Sequence, residues 1–240
     1  MGDLHGRSQA IGAVDQLAEN ADVTAVIQVG DMGFFWPGSP TVEEYFIKRG
    51  RQNRKHFPWF VIDGNHENHD VLDEKWNANR TSVVEVLPGC FHVRRNTILE
   101  IQGIKHLFCG GARSTDRGPG NEFYRGNRIW WAQEAPNAKE IVEFHEMLER
   151  EKPDTVITHD VPNIVDLYRD GRFEDSTSRG FDNALKLSEH KPNHWFFGHH
   201  HLLDTFKDLD TVTFRGCGLH GQFWERDVDG NFTSHDKTYS

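Results

Sequence analysis

Four times along this chain an apolar run ends and a side chain able to bind a metal follows within a few residues. "VTAVIQV" (23–29) leads into Gly30 and Asp31, and "WFVI" (59–62) leads into "DGNHE", which carries Asn65 and His66. "TVIT" (155–158) leads into His159 and Asp160, and "HWFF" (194–197) leads into "GHHH" at 198–201. Short β-branched or aromatic runs of this kind read as buried strands. In open α/β sheets the carboxyl ends of the strands are where ligands bind. The pattern therefore requires a fold that gathers carboxylate, amide and imidazole groups from distant positions onto one rim.

Helix-like segments separate the runs, at 8–20, 41–56 and 137–151. In the last of them Ile141, Phe144, Met147 and Leu148 recur close to helical period. This alternation indicates an α/β fold built of βαβ units, with a largely parallel sheet covered on both faces. Residues 83–109 read as short strands with a turn near "RRNT", which predicts a mixed second sheet. With 240 residues and no repeat, low-complexity stretch or linker, 1–240 reads as a single domain.

Composition narrows the class. Apolar residues at 36%, aromatics at 12% and charged residues at 27% fit a folded chain and not a disordered one. No run approaches the roughly 18 apolar residues of a membrane span, and the basic-then-apolar layout of a secretory signal is missing. Cys90, Cys109 and Cys217 are odd in number and widely spaced, which points to reduced thiols and a cytoplasmic setting. A formal charge of −10 argues against a broad basic surface for nucleic acid. Nucleic acid is thus expected only as a substrate, because bound cations can reverse the field locally.

Oxygen and imidazole ligands without thiolate suit Mn²⁺, Fe or Zn²⁺. Two such ions about 3.5 to 4 Å apart can clamp an in-line displacement at phosphorus, and a water made acidic between them is the nucleophile. The ordered set Asp3-x-His5, Gly30-Asp31, Gly64-Asn65-His66-Glu67, His159 and Gly198-His199-x-His201 resembles the calcineurin-like metallophosphoesterase superfamily, in a phage and bacterial type of branch. The resemblance implies a two-sheet sandwich of mixed sheets flanked by helices. It implies that Asp3, His5, Asp31 and His201 hold one divalent ion, that Asp31 bridges, and that Asn65, His159 and His199 hold the other. Mn²⁺ is the favoured ion, with Fe, Zn²⁺ or Ni²⁺ as alternatives. His66 would face the substrate as acid or leaving-group stabiliser, with Asp31 and Asn65 also at the reacting centre and Asn65 also touching substrate. In "YRGNRIWW" (124–131), Arg125 is the residue expected to contact phosphate, since a guanidinium fits phosphate oxygens in bidentate fashion.

Two departures from the superfamily carry weight. Its protein serine/threonine phosphatases continue the second block as GDxVDRG, whereas this chain reads "GDMGFFW", with Gly33 and Phe34 in place of the phosphatase partners. A protein phosphatase is disfavoured, and the group that orients His66 is unassigned. The superfamily's Asp-x-His also follows a core strand, and strands usually run five or six residues, yet only Met1 and Gly2 precede Asp3. The first core strand is therefore expected to be missing, with an apolar extension upstream and an unpaired edge in its place.

Other polar residues receive plainer readings. His200 is expected to point away from its neighbours, and His69, His92, His106, His145 and His194 lack motif context. His220 stays open. Trp130 and Trp131 read as packing residues, Glu67 as a loop hydrogen-bonder, and Asp63 and Asp160 as supports for adjacent ligands. "DVDGN" (227–231) fails the calcium-loop pattern and reads as a hairpin turn at Asp229-Gly230. The expected activity is hydrolysis of a phosphomonoester or phosphodiester, with a nuclease or a metal-binding scaffold without turnover as alternatives; the oligomeric state is left open.

Overall fold

The apolar runs become strands, each shorter than or equal to its run. The computed structural model describes all residues except 22, 53–56, 115–122, 125–126, 168–174, 209–211 and 237–240. A first sheet contains β1 (Val26–Gln28), β2 (Trp59–Val61), β3 (Val83–Leu87) and β4 (Cys90–Val93), in the order β1-β2-β4-β3. β2 runs parallel to β1 and β4, and β3 pairs antiparallel with β4. The second sheet contains β5 (Thr97–Ile101) and β6 (Ile104–Cys109). Beyond a small hairpin of β7 (Phe123–Tyr124) and β8 (Asn127–Arg128), it adds β9 (Thr155–Thr158), β10 (His194–Phe197), β11 (Thr205–Asp208) and β12 (Val212–Gly216). Its order is β11-β12-β10-β9-β6-β5, parallel inside with antiparallel strands at both edges.

Residues 83–109 correct the expectation of one mixed second sheet. β3 and β4 complete the first sheet, β5 and β6 belong to the second, and the break falls at "RRN", where Asn96 takes a φ of 60°. Hairpin signals specify which neighbours pair but not which sheet a hairpin joins, because the latter depends on contacts distant in sequence.

The helices α1 (Ser8–Asn20), α2 (Thr41–Gly50), α3 (His69–Asn79), α4 (Ala138–Glu151) and α5 (Ser176–Leu187) cover the outer faces. Period-2 alternation sorts the strand residues. Trp59 and Val61 join Ile11, Val14, Val42 and Phe46 in one core. Leu107, Val156, Trp195 and Phe197 join Phe144, Leu148, Phe181 and Leu185 in another. The faces between the sheets meet through Val29, Ile62, Phe108, Ile157 and Phe196. The result is a sandwich of two mixed sheets between helices, as expected. α4 begins with a capping box, in which Asn137 accepts from the Glu140 backbone and Glu140 accepts from the Asn137 backbone. Where α1, α2 and β2 meet, buried Asp15 accepts from Arg49 Nε (2.7 Å), Tyr45 Oη (2.6 Å) and Trp59 Nε1 (2.9 Å), so its charge is fully partnered.

The first residues lie extended between the sheets. The Met1 amino group donates to Ile27 O (2.9 Å) and Val29 N donates to Met1 O (3.0 Å). On the other side Gly2 N donates to Gln222 O and Asp3 N to Gly218 O, each at 3.2 Å. The edge of β1, expected to be unpaired, is thus paired at Ile27 and Val29 by Met1, because the first residues themselves lie beside it, and Asp3 is held on the far side by Gly218 and His220. β13 (Phe223–Arg226) and β14 (Phe232–His235) form a hairpin whose loop contains Gly230 at φ 89°. Among the described residues no helix is long and apolar enough to cross a membrane.

Candidate metal centre

The candidate ligands sit where strands end. Asp31 follows β1, Asn65 and His66 follow β2, His159 follows β9, and His199 and His201 follow β10. β1 and β2 belong to one sheet and β9 and β10 to the other, so the rim is shared between them. Asp3 and His5 arrive from the first segment beside β1. The chain turns sharply at these points: His5, Asp31, His199 and His201 have φ of 46°, 56°, 61° and 56°. Such left-handed residues are uncommon outside glycine, and strain of this kind clusters at functional sites.

The side chains converge. His5 Nε2 lies 3.1 Å from His201 Nε2 and 3.8 Å from Asp31 Oδ2. His201 Nε2 is 3.2 Å from Asp3 Oδ2. On the other side of Asp31, His159 Nε2 lies 3.3 Å from Asp31 Oδ1 and 3.2 Å from Asn65 Oδ1. His159 Nδ1 is 2.7 Å from Val29 O, so it donates there and Nε2 faces the carboxylate. This backbone anchor is the arrangement that fixes ring orientation in metal-ligating histidines. The His199 ring packs 5.1 Å from that of His159, and its backbone N donates to Asp3 Oδ1 at 3.2 Å. Asp31 thus stands between two groups, one with Asp3, His5 and His201, the other with Asn65, His159 and His199.

The electrostatics fit cations. Burial lowers the basicity of His5 and pushes that of His199 down to about 4, so both offer neutral imidazole. Burial would raise Asp31, but the charge and hydrogen bond of His159, with His66 and His5, hold it well below the usual carboxylate range. Burial would likewise lower His159, yet Asp31 beside it raises it to about 10. That proton on His159 is one a divalent ion would displace. Asp3 Oδ2 is fully buried without a hydrogen bond of good geometry, although His201 is close. A buried carboxylate oxygen without a donor is costly unless a cation completes it. Three overlapping groups, Asp3-His5-His201, His5-Asp31-His66 and Asp3-Asp31-His159, each bring their ligand atoms within 4.8 Å. Oxygen and imidazole donors disposed in this way suit divalent metal ions.

His66 borders this cluster. Its backbone N–H donates to Asp31 Oδ1 at 2.8 Å, and its ring lies 5.0 Å from His5 and 5.4 Å from Trp36. The His66 ring thus makes aromatic contacts with both His5 and Trp36 of "GDMGFFW". Sequence reasoning missed Trp36, because a tryptophan at the end of "GFFW" reads as another core residue. His220, left open by the sequence, borders the site: its ring lies 6.4 Å from His5 and its backbone N donates to Asp3 O at 2.7 Å.

Glu67 is a loop hydrogen-bonder as expected, whereas the Asp63 and Asp160 carboxylates hold side chains other than the candidate ligands beside them. Glu67 accepts from Gly33 N (3.2 Å) and Gly64 N (2.6 Å), tying the loops after β1 and β2 together. Asp63 accepts from Arg95 Nε (3.0 Å) and a terminal guanidinium nitrogen (2.6 Å). Asp160 accepts from His200 Nε2 at 2.9 Å and Ser178 Oγ at 2.8 Å. His200 therefore turns away from the ligands, though through the left-handed turns at His199 and His201 and not through strand alternation. Trp131 is buried and donates to Asp70 Oδ2 at 3.0 Å, which supports the packing reading. Arg125 lies outside the described residues.

Solved structures to which the chain shows similarity include a 5'-nucleotidase from Candida albicans SC5314, with a TM-score of 0.48 and 16% identity, covering 96% of this chain and 46% of that one. Another is a putative 5'-nucleotidase from Staphylococcus aureus in complex with α-ketoglutarate, with a TM-score of 0.43 and 13% identity, covering 95% and 47%. The chain spans about half the length of these structures. A comparison with curated proteins gave no match. The profile of the calcineurin-like phosphoesterase family matches residues 1–203, a stretch that includes every candidate ligand from Asp3 to His201. On that match, this chain belongs to the calcineurin-like phosphoesterase family.

Proposed function

We propose that this protein hydrolyses phosphoester bonds at a dinuclear centre. Asp3, His5, Asp31 and His201 would hold one ion, and Asp31, Asn65, His159 and His199 the other. Mn²⁺ is favoured, Fe, Zn²⁺ and Ni²⁺ are the alternatives, and the setting is cytoplasmic. When bound, the ions supply the positive charge that holds a phosphate and the acidity that makes water a nucleophile at neutral pH. The chain's own residues do the rest. Asp31, kept ionised, would serve both ions; His159, anchored on Val29 O, keeps its Nε2 facing inward. His66 gives a proton to the leaving oxygen or stabilises its charge, and Asn65 and Arg125 contact the phosphate. The observation that carries this reading is the position of His66, whose ring is 5.0 Å from that of His5 while its backbone is fixed to Asp31. A scaffold without turnover has no use for an imidazole held there.

The test is hydrolysis of an aryl phosphomonoester and an aryl phosphodiester by protein loaded with Mn²⁺, beside His66→Asn, with bound metal counted in both. The expected outcome is metal-dependent turnover of at least one ester that drops about 10² to 10⁴-fold in His66→Asn while metal content stays the same. Two bound ions with no turnover of either ester, or full activity in the variant, overturns it.

A further inference from the structure

Ring contacts at the site run outward in a row. His5 meets His66 at 5.0 Å, His66 meets Trp36 at 5.4 Å, and Trp36 meets Trp131 at 5.8 Å with planes 65° apart. Trp131 is a fixed backing, since it is buried, its Nε1 donates to Asp70 Oδ2, and Arg128 lies 5.4 Å over its ring. Trp36 is only half-buried. Its loop is nonetheless tied down: Asn68 N donates to Phe34 O at 2.9 Å, Phe35 N to Glu43 Oε1, and Ser39 N to Trp36 O at 3.0 Å. The indole is therefore presented on a rigid backbone and costs little ordering when a ligand arrives.

An in-line displacement places the attacking and leaving oxygens on opposite sides of phosphorus. With His66 at the leaving oxygen, the group carried by that oxygen is directed away from the ligand cluster, and the next side chain in that direction is Trp36. An indole face favours planar aromatic groups, in offset or edge-to-face contact, over hydroxyl-rich or short alkyl ones. Among the described residues Arg128 borders the wall, and it is paired with Asp70 at 2.6 Å. The paired indoles are a surface from which an aromatic ring gains.

We propose that Trp36, backed by Trp131, forms the leaving-group subsite and selects esters of planar aromatic alcohols. This rests on the role of His66 given above. The full-length Mn²⁺-loaded protein is assayed with phenyl and ethyl esters of the same phosphate type, in wild type, Trp36→Leu and Trp36→Phe. Trp36→Leu is expected to reduce kcat/KM for the phenyl ester about tenfold, mostly through KM, and for the ethyl ester less than about threefold; Trp36→Phe restores most of the loss. A residue that merely holds His66 would lower both esters equally and through kcat, and that outcome sinks the subsite while leaving the hydrolase intact. Binding supplies a readout independent of turnover. Wild type is expected to bind phenylphosphonate about tenfold more tightly than methylphosphonate, with the preference erased in Trp36→Leu. If no ester turns over but this preference is present and Trp36-dependent, the subsite stands and the hydrolase reading falls; equal affinities in wild type overturn the subsite.

Discussion

A methyl group on Gly64 would collide with Asp31 Oδ1 and lie 2.8 Å from His159 Nε2. Only hydrogen fits between the proposed bridging carboxylate and its partner histidine. Gly103 provides a contrast: its φ is 74°, but an added methyl meets nothing within 4 Å. Gly103→Ala is expected to cost about 1 kcal/mol of backbone strain and leave metal content unchanged. Gly64→Ala is expected to lose bound metal and at least about 2 kcal/mol of stability, as overpacking of a site without room to relax. Metal counting with thermal melts of both variants checks this; a Gly64→Ala protein with two ions would contradict it. The sequence made the candidate ligands from Asp31 to His201 legible because each follows an apolar run, and three of those four runs end close to a glycine, Gly30, Gly64 or Gly198. It did not make Trp36 or Arg95 legible, because their roles come from partners 30 and 32 positions away, His66 and Asp63.

At the level of elements, the decisive joint is the passage from β4 to β5, where the chain leaves one sheet for the other. Arg95 in that passage reaches Asp63 after β2, Glu140 in α4, and the carbonyl oxygens of Gln133 and Glu134. Asp63 is completely buried; burial would raise its pKa, and Arg95 brings it below the usual value. Arg95→Gln leaves that carboxylate without its charge partner and is expected to cost about 3 to 5 kcal/mol in a urea titration. The double variant with Asp63→Asn is expected to recover part of the loss, since the stranded charge is then gone; losses that simply add would refute the pairing. Helix α4 was readable from the period of Ile141, Phe144, Met147 and Leu148. The split of residues 83–109 was not, because local alternation is the same whichever sheet receives a hairpin.

For the molecule as a whole, acid is the revealing perturbation. His69 and His92 are buried, and burial pushes each down to about 4. In the unfolded chain they titrate near 6.5, so between about pH 6.5 and 4 the unfolded state binds more protons and stability falls as pH falls. The expected slope is up to about 1.4 kcal/mol per pH unit for each histidine. His159, raised to about 10, acts in the opposite sense and another window: without metal its contribution is complete below pH 6.5 and lost as pH rises through about 10. Urea midpoints of chelator-treated protein at pH 7 and 5 test this, and because His199 is also pushed down to about 4, His92→Leu is expected to remove about a third of the acid slope; an unchanged slope would mean His92 titrates normally. The family profile covers residues 1–203, and the site it encloses draws donors from both sheets and from positions as distant as Asp3 and His201. His5, Asp31 and His66 all lie within the first 66 residues, whereas His159, His199 and His201 arrive only with the second sheet. The full set of proposed donors is complete only after β10 has docked, so a fully loaded centre would report that the two halves have already found one another.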